Sequence, residues 1–180
     1  MAEAWVPDAE CRLHADVEVR PSPVAGRGLF ATADLPAGTV VSRLGGVLVD
    51  GATLRRLVEE AIAADETVDA VQVDEDHHLV LTRGNRNRFL NHACDPNIGW
   101  VDATTLAVRS EVAAGEELLV DYSMSIADES WFLRCHCASY RCRQMVEGGD
   151  WRIPQLQQRY AGWWTPYVGR LVDAARASRS

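Results

Sequence analysis

The chain has 180 residues, 47% of them hydrophobic, which is enough for one domain with a substantial core and tight for two. Its formal charge of −8, from 26 acidic against 18 basic residues, argues against a duplex-DNA reader and suits a basic partner such as an Arg- or Lys-rich protein tail. No apolar run approaches the ~20 residues of a membrane span, and the start, MAEAWVPDAE, has neither the basic nor the apolar region of a signal peptide, so the expectation is a cytoplasmic protein with reduced thiols.

Residues 1–16 read as irregular. VEVR (17–20) alternates like a short strand, and PSPVAGRGLFA (21–31) reads as a turn-rich loop leading into apolar residues. Residues 39–41 and 44–49 read as strands broken by Gly45 and Gly46. Leu54, Leu57, Val58, Ala61 and Ile62 recur at helical spacing and predict an amphipathic helix over 53–64. Further strands are predicted at 71–73, 78–82, 106–108 and 117–122, with an Ala-Ala-Gly turn at 113–115 before the last. The tail changes character. Pro154 opens a helix with Leu156, Tyr160 and Trp163 on one face, and Thr165-Pro166 reads as an N-cap followed by proline at the first helical position. Val168, Leu171, Val172 and Ala175 give this second helix its stripe. The sum is a mostly β body with a helical C-terminal arm.

Two stretches carry chemistry. RFLNHACDPN (88–97) concentrates an imidazole, a thiol, an acid and two amides within ten residues. CHCASYRC (135–142) spaces Cys135, Cys137 and Cys142 as C-x-C-x4-C. A bridge between Cys135 and Cys137 would be badly strained, and three thiols in eight residues of a cytosolic chain read better as ligands of zinc, which takes four in a tetrahedron. By spacing alone the fourth ligand is open among Cys94, His92, Cys11 and His136.

With these in place, GRGLFA (26–31), RFLNHACDPN (88–97), GEELLVDYS (115–123) and CHCASYRCR (135–143) together resemble, in order, the SET-domain protein-lysine methyltransferases. The resemblance runs from about Val17 to Arg143. It implies a β-clip fold of small sheets with a knot-like crossing, S-adenosylmethionine (SAM) as methyl donor, and a post-SET Zn(II) site made by Cys94, Cys135, Cys137 and Cys142. The implied division is a SET domain over 17–127, a post-SET zinc segment over 128–146 and a helical extension over 147–180 packed on the SET domain. Gly26, Arg27 and Gly28 match the segment whose backbone meets the methionine part of SAM, where glycine permits close approach. Asn91 and His92 match the pair that holds the amino group and the adenine, and Arg88 and Phe89 belong to the same cofactor-binding segment. Tyr122 matches the tyrosine beside the transferred methyl.

The resemblance has two departures. Arg43 stands where many members carry a tyrosine lining the substrate pocket, and a guanidinium there would repel a substrate ammonium. Val120, two residues before Tyr122, stands where the family usually has Phe or Tyr, and its smaller size predicts a roomier pocket that does not stop at one methyl. The implied activity is methyl transfer to the lysine ε-amine of a basic protein or peptide. Two other readings are a SET-like binding module that has lost transfer, which Arg43 would favour, and a methyltransferase for a small molecule or peptide natural product, which a groove blocked by the aromatic tail would favour. All 18 basic residues are arginine, so the chain has no lysine side chain of its own to methylate.

Overall fold

A computed structural model describes residues 8–178. Its strands are short: β1 (Arg12–Leu13), β2 (Val17–Pro21), β3 (Arg27–Ala31), β4 (Val40–Arg43), β5 (Gly46–Asp50), β6 (Ala70–Gln72), β7 (His77–Leu81), β8 (Asn91–His92), β9 (Ile98–Trp100), β10 (Thr105–Val108), β11 (Glu117–Val120), β12 (Phe132–Arg134) and β13 (Met145–Glu147). The helices are α1 (Gly51–Ala63), α2 (Pro154–Arg159) and α3 (Pro166–Ala177). Four small sheets result, ordered β1-β4-β10-β9, β2-β3-β11-β8, β5-β7-β6 and β12-β13.

The glycine-rich stretch read as a loop is strand from Arg27 onward. It pairs antiparallel with β2 and buries Leu29, Phe30 and Ala31. α1 begins two residues earlier than its apolar spacing suggests, because the Asp50 carboxylate caps it by accepting from the Thr53 N–H at 2.7 Å. Only part of its stripe is used: Ala61 is buried, whereas Ile62 is 70% exposed. Thr165 does precede α3, but its side chain makes no cap bond; its hydroxyl donates to the Met124 carbonyl at 3.3 Å and so pins the arm to the body.

One pairing differs from all the others. β8 runs parallel to β11, with Asn91 opposite Leu119 and His92 opposite Val120. A parallel pair cannot be closed by a tight turn, so the chain makes β9 and β10 between these two strands. Asn97 locks the crossing from the side: its amide donates to the Glu117 carbonyl, and its oxygen accepts from the Leu119 N–H, both at 2.8 Å. Val41, Ile98, Leu106, Val108, Leu118 and Met124 form the core beneath, joined by Leu156 and Tyr160 from the C-terminal arm. A second cluster gathers Trp151, Val168 and Val172 against Ala127 and Trp164.

Candidate active site and metal centre

The expensive decapeptide of the sequence is spent on joints. Asn91 clasps the glycine-rich segment: its amide nitrogen donates to the carbonyls of Arg27 (2.9 Å) and Ala25 (3.1 Å) and to the Glu117 carboxylate (2.8 Å). Glu117 also accepts from the Ser22 hydroxyl at 2.9 Å, closing the base of that segment. A Cβ at Gly28 would come 2.0 Å from a Glu117 carboxylate oxygen, so any larger residue would push that carboxylate aside. Gly26 has φ +48°, a conformation that favours glycine, and the space where its Cβ would stand is open. The backbone at Gly26 is therefore accessible to a ligand. Arg27 lays its guanidinium over the Phe89 ring, 4.5 Å from the centroid. Arg88 turns toward another neighbour, pairing with Asp69 at 3.2 Å and donating to the Thr67 hydroxyl at 2.7 Å.

His92 points inward. Its Nδ1 accepts from the Tyr122 N–H at 3.2 Å, and its Nε2 lies 3.4 Å from Cys94 Sγ. Burial lowers its pKa to about 4 against the opposing pull of Asp121, so the imidazole is neutral, and the acceptor role of Nδ1 places the proton on Nε2, facing the sulfur.

Tyr122 follows β11. Its hydroxyl donates to the Leu90 carbonyl at 2.7 Å, and its ring meets those of His92 and Trp131 at 5.3 and 6.1 Å. Burial, with Asp69 nearby, raises its pKa to about 12, so it stays a proton donor at neutral pH. Beside it lies a cavity of about 260 Å³ walled by Leu90, Trp100, Leu106, Val120, Tyr122 and Trp131. Arg43 does not line it. Its side chain is exposed and donates to the Thr105 hydroxyl at 3.2 Å, and the next residue, Leu44, lines the cavity. Asp69, which sequence reasoning passed over, does line it, and burial raises its carboxyl pKa while Arg88 opposes the shift. The same carboxylate borders a second cavity of about 550 Å³ against α1. Asp69 sits in an ordinary-looking acidic stretch, so no sequence signal distinguished it.

The sulfur atoms of Cys94, Cys135, Cys137 and Cys142 all lie within 4.8 Å of one another, and Cys94 and Cys135 are 3.8 Å apart. Four ligands at ~2.3 Å from a tetrahedral ion would have edges of ~3.8 Å, so the donor set fits a thiolate-preferring metal such as zinc. Backbone N–H groups add to the fit: Arg143 donates to Cys94 Sγ at 3.3 Å and Cys94 to Cys137 Sγ at 3.5 Å, as thiolates require. His136 is exposed between its cysteine neighbours, and Cys11 donates to the Gly45 carbonyl at 3.2 Å, far from the cluster in the chain and bonded elsewhere.

The joint between metal cluster, cavity and arm is Asp121, which is fully buried. Arg143 grips it with two bonds of 2.7 Å, the Tyr160 hydroxyl donates to it at 2.8 Å, and so does the Ser123 hydroxyl. Burial alone would push its carboxyl up; the guanidinium and these donors hold it below the usual range instead. Arg143 also approaches Asp150 at 3.0 Å, as an ion pair without hydrogen-bond alignment. Tyr160 reaches the Cys94 carbonyl as well, at 3.2 Å.

A family model described as SET domain matches residues 26–123, more than half of the chain. Among curated relatives, histone-lysine N-methyltransferase trithorax of Drosophila melanogaster is 32% identical over 136 residues, covering 69% of this chain and 4% of the relative. Human histone-lysine N-methyltransferase SETD2 is 32% identical over 159 residues, covering 78% of this chain and 6% of the relative. The chain thus spans a few per cent of the length of the curated relatives it matches. The crystal structure of the methyltransferase domain of human histone-lysine N-methyltransferase SETMAR shares the fold, with a TM-score of 0.59 at 22% identity over 75% of this chain and 58% of that one.

Proposed function

We propose, since this chain belongs to the SET-domain family, that it is a SAM-dependent protein-lysine N-methyltransferase acting on a basic protein or peptide, with Zn(II) as the ion of its four-cysteine cluster. The observation that carries this reading is the cavity in which Tyr122 meets Leu90 and Val120, the residues at either side of the parallel crossing. The relatives' names point to lysine as the acceptor. The net charge of −8 favours a cationic partner.

SAM would supply an activated methyl on a sulfonium centre. The residues available to hold it are the open backbone at Gly26, the Asn91 clasp beneath that segment, and Phe89, whose face already carries a guanidinium. Arg27 provides positive charge for a carboxylate, while Arg88 is held by Asp69 and Thr67. The acceptor must arrive as a neutral amine. A free lysine has a pKa of ~10.4, so only roughly one molecule in two thousand is neutral at pH 7. The largely apolar wall disfavours an ammonium and lowers that pKa, and the one carboxylate on it, Asp69, is paired with Arg88 on the same wall. Tyr122 keeps its proton and is anchored on Leu90, so its ring forms a fixed wall and helps to align the amine. Arg43, exposed and bonded to Thr105, places no positive charge in the cavity.

The test uses SAM carrying a labelled methyl group with a panel of Lys-rich proteins. Label on substrate lysine is the expected result, and because the chain has no lysine, that label cannot come from its own side chains. SAM binding by calorimetry without transfer to any lysine would sink the lysine reading and leave a binding module or a small-molecule enzyme. Gly28→Ala is expected to weaken SAM binding at least tenfold, about 1.4 kcal/mol, because the new Cβ drives Glu117 off Asn91 and loosens the clasp; unchanged affinity would show that the clasp does not shape the cofactor site.

Chelation probes the metal. Zn(II) closing Cys94 against Cys135, Cys137 and Cys142 would tie β12 and β13 to the SET body. Metal analysis is expected to return one Zn(II) per chain. A strong chelator is expected to lower the melting temperature by 5 °C or more, taking about 2–4 °C per kcal/mol for a chain of this size. A melting curve indifferent to chelator would mean the cysteines pack without an ion.

A further inference from the structure

Because β8 and β11 run parallel, both chains leave the crossing at the same end. One exit follows Asn91 and His92 and leads to Cys94. The other passes Asp121 and delivers Tyr122. The paired stretch is two residues wide, and its ladder ends where the Ala93 N–H donates to the Val120 carbonyl at 3.0 Å. A methyl donor held on the first chain and an amine aligned by the second are therefore spaced by whatever holds these two exits together.

Tyr160 spans them. It belongs to the C-terminal arm, beyond the last residue of the family motifs, and is completely buried. Its hydroxyl carries one proton, shared between the Asp121 carboxylate at 2.8 Å and the Cys94 carbonyl at 3.2 Å. The ring is seated as well. The Arg109 guanidinium lies over it, 5.0 Å from the centroid, and donates to the carbonyls of Pro96 at 2.9 Å and Arg159 at 3.0 Å. Pro96 lies on the first exit and Arg159 on the arm, so the guanidinium joins the same two parts as the phenol. Neither acceptor depends on Tyr160 to be satisfied. Asp121 also accepts from Arg143 and Ser123, and the Cys94 carbonyl also accepts from Arg159 at 3.4 Å. Loss of the hydroxyl therefore strands no buried group. What it removes is a fixed spacing, and a misplacement of about 1 Å between reacting groups costs on the order of 10²-fold in rate.

We propose that Tyr160 is a positioning residue for methyl transfer: by bridging the Cys94 carbonyl and Asp121 it sets the spacing between the cofactor segment and Tyr122, which makes the C-terminal arm a working part of the site. The inference rests on the methyltransferase reading above. Tyr160 touches neither substrate nor cofactor and acts through the two exits, with Arg109 holding its ring in place.

The experiment compares wild type, Tyr160→Phe and Thr165→Val in the full chain. Single-turnover transfer from labelled SAM to a Lys-containing peptide gives the rate; peptide KM, SAM affinity by calorimetry and the melting temperature are read beside it. Tyr160→Phe keeps the ring and deletes only the bridge. Its rate is expected to fall at least tenfold, with KM and SAM affinity within threefold of wild type and a melting temperature lower by about 2–4 °C. Thr165→Val is the control for a loosened arm. It removes a hydroxyl bond from the same arm to the Met124 carbonyl, leaves the backbone bond to that carbonyl, and touches neither exit. A similar fall in melting temperature with less than a twofold loss of rate is expected. Should Tyr160→Phe not fold, Arg109→Lys takes its place: a single ammonium cannot reproduce the fork that grips Pro96 and Arg159, the Tyr160 ring loses its seat, and the same tenfold loss at unchanged KM is expected. A smaller loss of rate in the variant used, or an equal loss in Thr165→Val, overturns the inference and leaves lysine methylation standing. Absence of transfer from wild type to any Lys-containing substrate overturns the activity itself, and the inference with it.

Discussion

Asp121→Ala is expected to cost about 3–5 kcal/mol of stability, because it removes the carboxylate that makes both aligned bonds to the largely buried Arg143 guanidinium and leaves it only the unaligned pairing with Asp150. The carboxylate is fully buried and accepts two bonds from Arg143, one from Tyr160 and one from Ser123. Arg143 itself is largely buried, and although burial works against its charge, Asp121 more than offsets that and holds it protonated. Removing the anion leaves the cation with Asp150 alone and the phenol with the Cys94 carbonyl alone. At about 2–4 °C per kcal/mol the melting temperature should fall by some 10 °C. Asp121→Asn should cost less, since it keeps acceptors for Tyr160 and Ser123. The double variant with Arg143→Ala should recover part of the loss, because the stranded charge is then gone. Urea unfolding of the four proteins measures all of this. A loss under 1 kcal/mol for Asp121→Ala would mean that water reaches Arg143 freely and that the three segments are not joined here.

Tyr122→Phe is expected to have the opposite profile, with little change in stability and a large loss of rate. The hydroxyl makes one bond, to the Leu90 carbonyl, worth ~1 kcal/mol net. If the phenol aligns the reacting groups, its removal should slow single-turnover methyl transfer by about 10²–10³-fold, the scale seen when one preorganised donor is deleted from an active site. KM for the peptide should move far less, because the ring that walls the cavity is retained. SAM affinity, read by calorimetry, should stay within a few-fold. A rate within threefold of wild type would remove Tyr122 from the chemistry and leave it a wall.

The body of the fold was readable where one residue type serves one purpose. Cys94, Cys135, Cys137 and Cys142 come together as their motif implied, because four thiols at this spacing have few other uses. Strands with clear alternation, such as Val17–Pro21, were placed within a residue. The misses have a common cause. Asn91–His92, Ile98–Trp100 and Met145–Glu147 are two or three residues long and paired to distant segments, so local pattern has no period to show. Arg27–Ala31 hides behind two glycines, and the contact that constrains one of them, Gly28, comes from Glu117, distant in the sequence. Trp100, Asp69 and Asp121 are single residues whose meaning comes from three-dimensional neighbours, and Asp121 reads in sequence as half of an Asp-Tyr pair rather than as the anchor of Arg143 and Tyr160. His92 is given by its motif as one of the pair that holds the amino group and the adenine, and its ring is occupied by Tyr122 and Cys94, partners no local pattern announces.

The Tyr160 hydroxyl touching both Asp121 and the Cys94 carbonyl bears on how the protein is made. A ribosome delivers the chain from the N-terminus, and the SET body is fully synthesised well before residue 160 emerges. Until then Asp121 has no phenol to accept from, Cys94 has lost one of its fixed points, and the parallel crossing stands with one side open to solvent. Contacts this far apart in sequence close late and slowly. The nascent protein therefore passes through an interval in which most of its mass is present but the site is unsealed. A chain ending near position 150 would keep that unsealed state, since it lacks Tyr160.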